Sequence, residues 1–391
     1  MNAAVLCFPG AERLAEHLRE RLDAEPASLA IHSFPDGERR VRITGDVAGR
    51  AVVLVAALDR PDEKLLPLLF AAATARDLGA TTVGLVAPYL PYLRQDRRFH
   101  PGEGVSARYF ARLLSRAVDW LVTVDPHLHR IGDLDEIFTV PVTAVHAAPL
   151  LADWIRTHVQ HPLLLGPDAE SGQWVEAIAS LAGAPSALLA KRRLGDEAVE
   201  VRLPELGACA GRRPVLVDDI VSSGATMVEA MRLLRGSGWP APVCLAVHPV
   251  FAPGAYRAIQ AAGAEPIVTC NTLCHPTNGI DVDELVAAAV LRQLDLPARG
   301  ASVVQDALGW IVQVVELAAS SRVEEEPRED AAQHQGDREQ EENRVHASDL
   351  RTEASTREAP QITTPLESGI STAATSGFTS PAAAAPTAST L

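Results

Sequence analysis

The densest group of side chains that could do chemistry lies at residues 215–226. The apolar run Val215–Val217 ends in the adjacent carboxylates of Asp218 and Asp219, and a turn rich in Ser, Gly and Thr follows. This order predicts a buried strand, a tight turn and the beginning of a helix. Backbone N–H groups at such a turn bind phosphate, and a carboxylate pair beside it can hold ribose hydroxyls or a magnesium ion. The alternative is an ordinary strand and turn with two solvated acids.

Four further stretches place polar side chains behind apolar runs. Phe34–Glu38 is a turn with one aromatic ring and two acids, and Pro88–Arg98 combines tyrosines with arginines, which bind phosphate through two parallel hydrogen bonds. Val124–His129 sets two histidines beside an acid, and a metal site would use such groups. Lys191–Arg193 is a run of three cations. Taken singly, these stretches are also typical of a hairpin turn, a solvated loop or a structural histidine.

The elements that must position these residues alternate between short apolar strands and helices. Such alternation predicts an α/β fold with parallel sheets, in which ligands bind at the carboxyl ends of the strands. His127, Asp168 and Asp219 each follow a predicted strand, so we expect them at that edge. The predicted strands are Ala3–Phe8, Val52–Ala57, Thr82–Ala87, Trp120–Val124, Leu163–Leu165, Ala187–Ala190, Val215–Val217, Val243–Val247 and Pro266–Thr269. The predicted helices are Ala11–Asp23, Glu63–Leu78, Val105–Ser115, Ala148–His158, Gly172–Leu181, Met227–Arg235 and Val282–Leu294.

The length of the alternating region predicts two domains, residues 1–147 and 148–297. A further helix is possible at 298–320. Residues 321–391 are acidic and dominated by Ser, Thr, Ala, Pro, Glu and Gln. Such a composition cannot bury enough apolar surface to offset chain entropy, so we expect a disordered tail.

The composition indicates which partners and which cellular compartment to expect for the protein. A net charge of −15 gives no basic excess for a nucleic acid. No run of about 18 apolar residues predicts a membrane span, and no signal peptide is recognisable. Five scattered cysteines, an odd number, suit a reducing cytoplasm, and the spacing of Cys270, Cys274 and His275 matches no strong zinc pattern.

Taken together and in this order, the five stretches resemble the ribose-phosphate diphosphokinase family, the synthetases of 5-phosphoribosyl 1-diphosphate (PRPP). The phosphate loop alone is shared with many phosphoribosyltransferases, whereas the other four stretches are more specific. The resemblance covers residues 1–295 or so. It implies two tandem phosphoribosyltransferase-like domains, the substrates ATP and ribose 5-phosphate, Mg²⁺ as cofactor, and a homo-oligomer. The family transfers the β,γ-diphosphoryl group of ATP to the C1 hydroxyl of ribose 5-phosphate and releases AMP.

The resemblance also implies a role for individual side chains. ATP would be bound by Arg94, Gln95 and Asp96, and by Phe34, Asp36 and Glu38 from a neighbouring subunit. Magnesium would be bound by His127 and Asp168, while Lys191 and Arg193 would lie on a mobile loop over the transferred group and act in catalysis. Ribose 5-phosphate would be bound by Asp168, Asp218, Asp219, Ser222, Ser223, Gly224, Ala225 and Thr226.

Two other functions remain open at this point. A phosphoribosyltransferase that consumes PRPP would share the phosphate loop, but it would not need the arginine-rich stretch at Arg94–Arg98. A noncatalytic regulatory homologue of PRPP synthetase would be expected to lose reactive residues, whereas His127, Lys191 and Arg193 are all present.

Overall fold

The computed structural model describes residues 2–167, 171–193, 199–204 and 209–294, and at 190–193 and 199–202 it describes the backbone alone. These residues belong to one compact unit. Asp168, the possible helix at 298–320 and the predicted tail at 321–391 lie outside the described residues.

A sheet of five parallel strands forms the core of the first half, as the alternating sequence predicts. Its central strands are apolar on both faces because helices cover the sheet from both sides. The strand order is β1 (Ala3–Cys7), β4 (Ala51–Val55), β5 (Thr82–Val86), β6 (Trp120–Val124) and β7 (Val142–Val145). The helices of this half are α1 (Glu12–Leu22), α2 (Pro61–Asp77), α3 (Ser106–Ala117) and α4 (Ala148–His158), with a short 3₁₀ turn at Leu134–Glu136.

A second parallel sheet, of six strands, forms the core of the second half. The strand order is β15 (Asn278–Ile280), β14 (Ile267–Cys270), β13 (Val243–Pro249), β12 (Arg213–Val221), β8 (Pro162–Gly166) and β9 (Ser186–Leu188). The helices are α5 (Gly172–Ala182), α6 (Ala225–Gly236), α7 (Ala255–Ala262) and α8 (Asp283–Gln293).

Two antiparallel hairpins stand outside these sheets, and the sequence predicted neither as a strand pair. The first is β2 (Ser28–Ser33) with β3 (Arg39–Thr44), and the second is β10 (Ala190–Arg193) with β11 (Val199–Arg202). The predicted single strand Ala187–Ala190 is therefore wrong, since β9 ends at Leu188 and β10 is a separate strand. A run of three cations cannot continue in a sheet that is covered on both faces, so the chain leaves it there.

The two halves are packed into each other rather than merely joined. Helix α8, from the end of the described chain, packs against β6 and β7 of the first sheet and against α1, whereas α4 packs against α5 of the second half. One continuous cluster of buried apolar residues includes Val122 of the first sheet and Val217 of the second. This packing fixes the two sheets relative to each other. Among the described helices, none is long and apolar enough to span a bilayer.

Candidate active site

A cleft of about 680 Å³ lies where the carboxyl ends of the two sheets meet. The first half contributes Arg94 and the segment after β6, and the second half contributes the end of β12 and the turn into α6. Most of the side chains singled out from the sequence thus converge here. The members of the predicted set that line the cleft are Arg94, His127, Asp218, Asp219, Ser222, Ser223, Gly224, Ala225 and Thr226.

His127 and Asp219 form a direct link between the two halves in the cleft. His127 Nδ1 lies 2.5 Å from Asp219 Oδ2, although the residues are 92 positions apart in the chain. Both side chains are mostly buried, at 19% and 24% exposure. Burial alone raises the pKa of the Asp219 carboxyl, but the hydrogen bond and charge of His127 outweigh it and lower the pKa to about 2. Asp219 is therefore ionised at neutral pH.

The phosphate loop has the geometry that the sequence predicts for it. Gly224 is the N-cap of α6 with φ +68°, a left-handed conformation that glycine adopts without strain. A Cβ at this position would come within 2.6 Å of Ile259, so the close approach also requires glycine. The Ser222 carbonyl accepts from the Ala252 amide at 3.0 Å, which ties the loop to the segment after β13. The first turn of α6 is thus directed into the cleft, where helix amides favour an anion.

The segment that carries His127 is held in place by Asp125, whose backbone adopts φ +34°. The Asp125 carboxylate accepts from the Ala147 amide at 2.8 Å and from His146 Nδ1 at 2.9 Å. The hydrogen bond and charge of Asp125 raise the pKa of His146, against the opposing effect of burial. The strained turn after β6 is therefore stabilised by at least two polar contacts.

The arginine-rich segment after β5 is divided between the cleft and the protein interior. Arg94 is exposed and lines the cleft. Asp96 is buried and pairs with Arg130 Nη1 at 3.3 Å, and Gln95 Oε1 accepts from Ser106 at 3.3 Å. Asp96 and Gln95 thus hold the segment in position, and Arg94 is the member of the three that faces the site.

The predicted adenine-binding residues lie on the turn of the first hairpin. Phe34 N donates to Glu38 O at 2.9 Å, and Asp36 accepts from the Glu38 amide at 3.0 Å. Phe34 is 37% exposed. The described residues that line the cleft do not include Phe34, Asp36 or Glu38.

Three other predicted residues have no described side chain. Lys191 and Arg193 lie in β10, paired with Val201 and Val199 of β11, in place of the loop expected from the sequence. Asp168 lies outside the described residues, two positions after the end of β8 at Gly166, and Pro167 lines the cleft.

Three residues at this site were missed from the sequence. His146 and Trp174 line the cleft, and His248 is buried behind it. His248 follows the predicted strand Val243–Val247 directly, so its position at a strand end was a usable signal. His146 lies just beyond β7, a strand that was not predicted, and Trp174 carried no pattern that distinguishes it from a core residue.

The side chains of the cleft suit a divalent cation that is bound in part by oxygen atoms of the substrate. Within the described ranges, no three His, Cys, Asp or Glu side chains converge on one point as a complete metal site. Two adjacent carboxylates and the His127 ring nevertheless share the cleft. Magnesium is commonly held by one or two carboxylates together with phosphate oxygens and water. The residues present therefore fit Mg²⁺ in a substrate complex.

Two family models match successive parts of the chain. Residues 4–117 match the model described as the N-terminal domain of ribose phosphate pyrophosphokinase. Residues 133–257 match the model of the phosphoribosyl transferase domain.

Curated relatives and a solved structure match almost over their whole length. The chain is 37% identical to the ribose-phosphate pyrophosphokinase of Methanopyrus kandleri over 73% of this chain and 98% of that protein. It is 35% identical to the protein of the same name from Methanothermobacter thermautotrophicus, over 71% and 95%. The crystal structure of phosphoribosylpyrophosphate synthetase from Mycobacterium smegmatis matches with a TM-score of 0.67 and 26% identity, over 75% of this chain and 99% of that one.

Proposed function

Since the chain belongs to the ribose-phosphate pyrophosphokinase family, we propose that it transfers the β,γ-diphosphoryl group of ATP to the C1 hydroxyl of ribose 5-phosphate. AMP and PRPP are the products. The observation that carries this proposal is the contact of His127 with Asp219, which brings the two halves together in one cleft. Donor and acceptor can then be aligned between them, and alignment is the main contribution of a protein to phosphoryl transfer.

The second half binds ribose 5-phosphate. Asp218 and Asp219 accept hydrogen bonds from the ribose hydroxyls, and Ser222–Thr226 with the first turn of α6 hold the 5-phosphate. Asp168 also binds the ribose 5-phosphate. An ionised Asp219 suits this role because a carboxylate accepts from hydroxyl groups.

The first half binds ATP. Arg94 contacts phosphate oxygens from its exposed position in the cleft, while Gln95 and Asp96 support the segment through Ser106 and Arg130.

Lys191 and Arg193 of the second hairpin stabilise the charge that develops on the transferred group. His127 and Asp168 would hold Mg²⁺, and the bound cation would neutralise phosphate charge and orient the diphosphoryl group.

A second copy of the chain completes the ATP site. The first hairpin presents Phe34, Asp36 and Glu38 away from the cleft of its own chain, where they are available to a neighbour. Helix α2 and the adjacent α3 expose large apolar side chains that a second subunit would cover. These are Leu66 (53% exposed), Phe70 (42%), Tyr109 (44%) and Leu113 (43%).

The reducing cytoplasm predicted from the cysteines is the proposed compartment. All five cysteines lie among the described residues and all are free thiols.

The experiment that tests the activity is incubation of the purified full chain with Mg²⁺, ATP and ribose 5-phosphate. AMP and PRPP should appear in equal amounts. The same protein given PRPP and a set of purine and pyrimidine bases should form no nucleotide. Nucleotide formation in this second reaction, without AMP formation in the first, would identify a phosphoribosyltransferase instead.

A further inference from the structure

His248 bridges the two halves directly behind the cleft. It lies near the end of β13 and is 1% exposed. Its Nε2 is 3.1 Å from the carbonyl oxygen of Asp125, which is 123 positions earlier in the chain, and its Nδ1 is 3.0 Å from Thr272 Oγ1. The ring also packs on Tyr89, with centroids 5.1 Å apart. Both ring nitrogens and one ring face are thus occupied.

The partners of His248 define which nitrogen carries the proton. A backbone carbonyl can only accept, so Nε2–H donates to Asp125 O. Burial lowers the pKa of His248, which favours the neutral ring. Nδ1 lies 3.0 Å from the Thr272 hydroxyl, which also donates to the Val247 carbonyl at 3.0 Å. The Nε2–H group of His248 therefore makes the hydrogen bond that joins the second half to the first.

The hydrogen bond from His248 to Asp125 joins the segment next to Asp219 to the segment that carries His127. In the second sheet, His248 pairs with Ile220, the residue after Asp219. In the first half, Asp125 lies two residues before His127 and has the strained φ of +34°. The carboxylate of Asp125 is held by its own half, through Ala147 and His146. The carbonyl of Asp125, by contrast, is held from the other half.

We propose that His248 is a positioning residue for diphosphoryl transfer. Its Nε2–H fixes the Asp125 peptide against the second sheet and so sets the position of His127 relative to Asp219. Partners of this kind orient the groups that bind a metal or substrate, and their removal commonly costs 10–100-fold in activity. The inference rests on the proposed function for its kinetic effect, but the ordering of the 125–129 loop is a property of the protein alone.

Two amide substitutions separate the bridging hydrogen bond from packing. The amide nitrogen of Gln can take the place of Nε2, so His248→Gln keeps the donor to Asp125. The shorter His248→Asn reaches only the Nδ1 position and loses that donor. Thr272→Val is the matched control, since it removes the hydroxyl that contacts Nδ1 and donates to the Val247 carbonyl, and leaves Nε2–H in place. The readouts are hydrogen–deuterium exchange of the 125–129 loop without ligands, and steady-state kinetics of AMP formation.

We expect faster exchange of the 125–129 loop in His248→Asn, with kcat lower by about 10–100-fold. The KM for ribose 5-phosphate should stay within about twofold, because the phosphate loop is untouched. His248→Gln and Thr272→Val should keep wild-type exchange, with kcat within about threefold.

Wild-type exchange in His248→Asn, or equal losses in all three variants, would overturn the proposal. If His248→Asn fails to fold, fast loop exchange in His248→Gln would overturn it, and protected exchange there would support it. Absence of AMP formation by the wild type would contradict the proposed function, while the exchange data would still decide the role of His248.

Discussion

The carboxylate of Asp219 is the group on which both halves of the site depend. It receives the hydrogen bond of His127 and lies next to the phosphate loop at the end of β12. Asp125, which also lines the cleft, has a comparable role, since its main chain and its side chain are held by different halves. The chemistry thus relies on side chains that are positioned by long-range contacts.

Replacement of Asp219 by Asn should remove the negative charge and the strong acceptor of His127 without changing side-chain size. We expect kcat/KM for PRPP formation to fall by about 10–100-fold, because the charged acceptor of the ribose hydroxyls is lost. Asp153→Asn is the control, since Asp153 is 68% exposed on α4. Turnover of Asp219→Asn equal to that of this control would exclude Asp219 from the reaction.

The His146–Asp125 pair predicts a pH-dependent stability. The pKa of His146 is raised in the folded protein above its ordinary value of 6.5, chiefly by the hydrogen bond to Asp125. The stabilisation is therefore fully present below about pH 6.5 and is lost as the pH rises through the higher folded-state pKa. His146→Gln should lower the free energy of unfolding more at pH 5.5 than at pH 8.5, as measured by urea denaturation. An equal loss at both pH values would contradict the charged pair.

At the scale of elements, the two hairpins lie outside the parallel sheets and contain charged or aromatic residues of the candidate site. The first hairpin packs one face, with Leu29, Ile31, Val41 and Ile43, against the core, and its turn carries Phe34. The second begins with the cationic run of β10. The sequence predicted most of the parallel strands because their apolar runs are buried on both faces. It did not predict the hairpins because neither contains such a run, and in the first one the single apolar residues alternate with polar ones.

The second hairpin should be essential for the chemical step. Lys191→Ala should lower kcat by roughly two to three orders of magnitude, as expected when a transition-state charge partner is removed. Arg192→Ala, in the same strand, is the comparison, and a smaller effect is expected because no role is proposed for it. Near-normal turnover of Lys191→Ala would exclude Lys191 from the mechanism.

The first hairpin should act in a neighbouring subunit. Phe34→Ala and Lys191→Ala should each be nearly inactive alone, because each damages every site of its own oligomer. After the two are dissociated, mixed and reassociated, half of random dimers pair one chain of each kind and contain one intact site. Activity should then recover to about a quarter of the wild-type value. If Phe34 served its own chain, mixing would restore nothing.

At the scale of the molecule, the part of the chain that the structure describes is built from two related halves. Each half runs from a strand through a helix and a hairpin to further parallel strands and helices. The bridge between Ala4 and Glu25 in the first half corresponds to the pairing of β8 with β9 in the second. A second cleft, of about 620 Å³, lies at the ends of β1 and β4. There β4 runs into Ala56 and Ala57, whereas β12 carries Asp218 and Asp219.

Duplication of the fold should therefore not double the number of sugar sites. Equilibrium dialysis with labelled ribose 5-phosphate should give one bound molecule per chain, because only one of these two clefts has the carboxylate pair and the phosphate loop. The Asp219→Asn variant should lose that molecule or bind it more weakly. Two equivalent molecules per chain would show that the second cleft also binds the sugar phosphate.

The extent to which this site could be predicted differs between its components. The phosphate loop and the acid pair were visible because they are contiguous in the chain, and their place at a strand end follows from the topology of parallel sheets. The pairing of His127 with Asp219, and of His248 with Asp125, joins residues about a hundred positions apart. Only the packing of the two halves determines which of these polar groups meet.

The central claim is that the cleft transfers an intact diphosphoryl group to the sugar. A ³¹P NMR time course of the full chain with Mg²⁺, ATP and ribose 5-phosphate tests it directly. We predict that the α-phosphorus of ATP appears as AMP while the β- and γ-phosphorus atoms appear together in the diphosphate of PRPP, with the 5-phosphate retained. Formation of ADP with a phosphorylated sugar, or of free inorganic phosphate in place of PRPP, would contradict it.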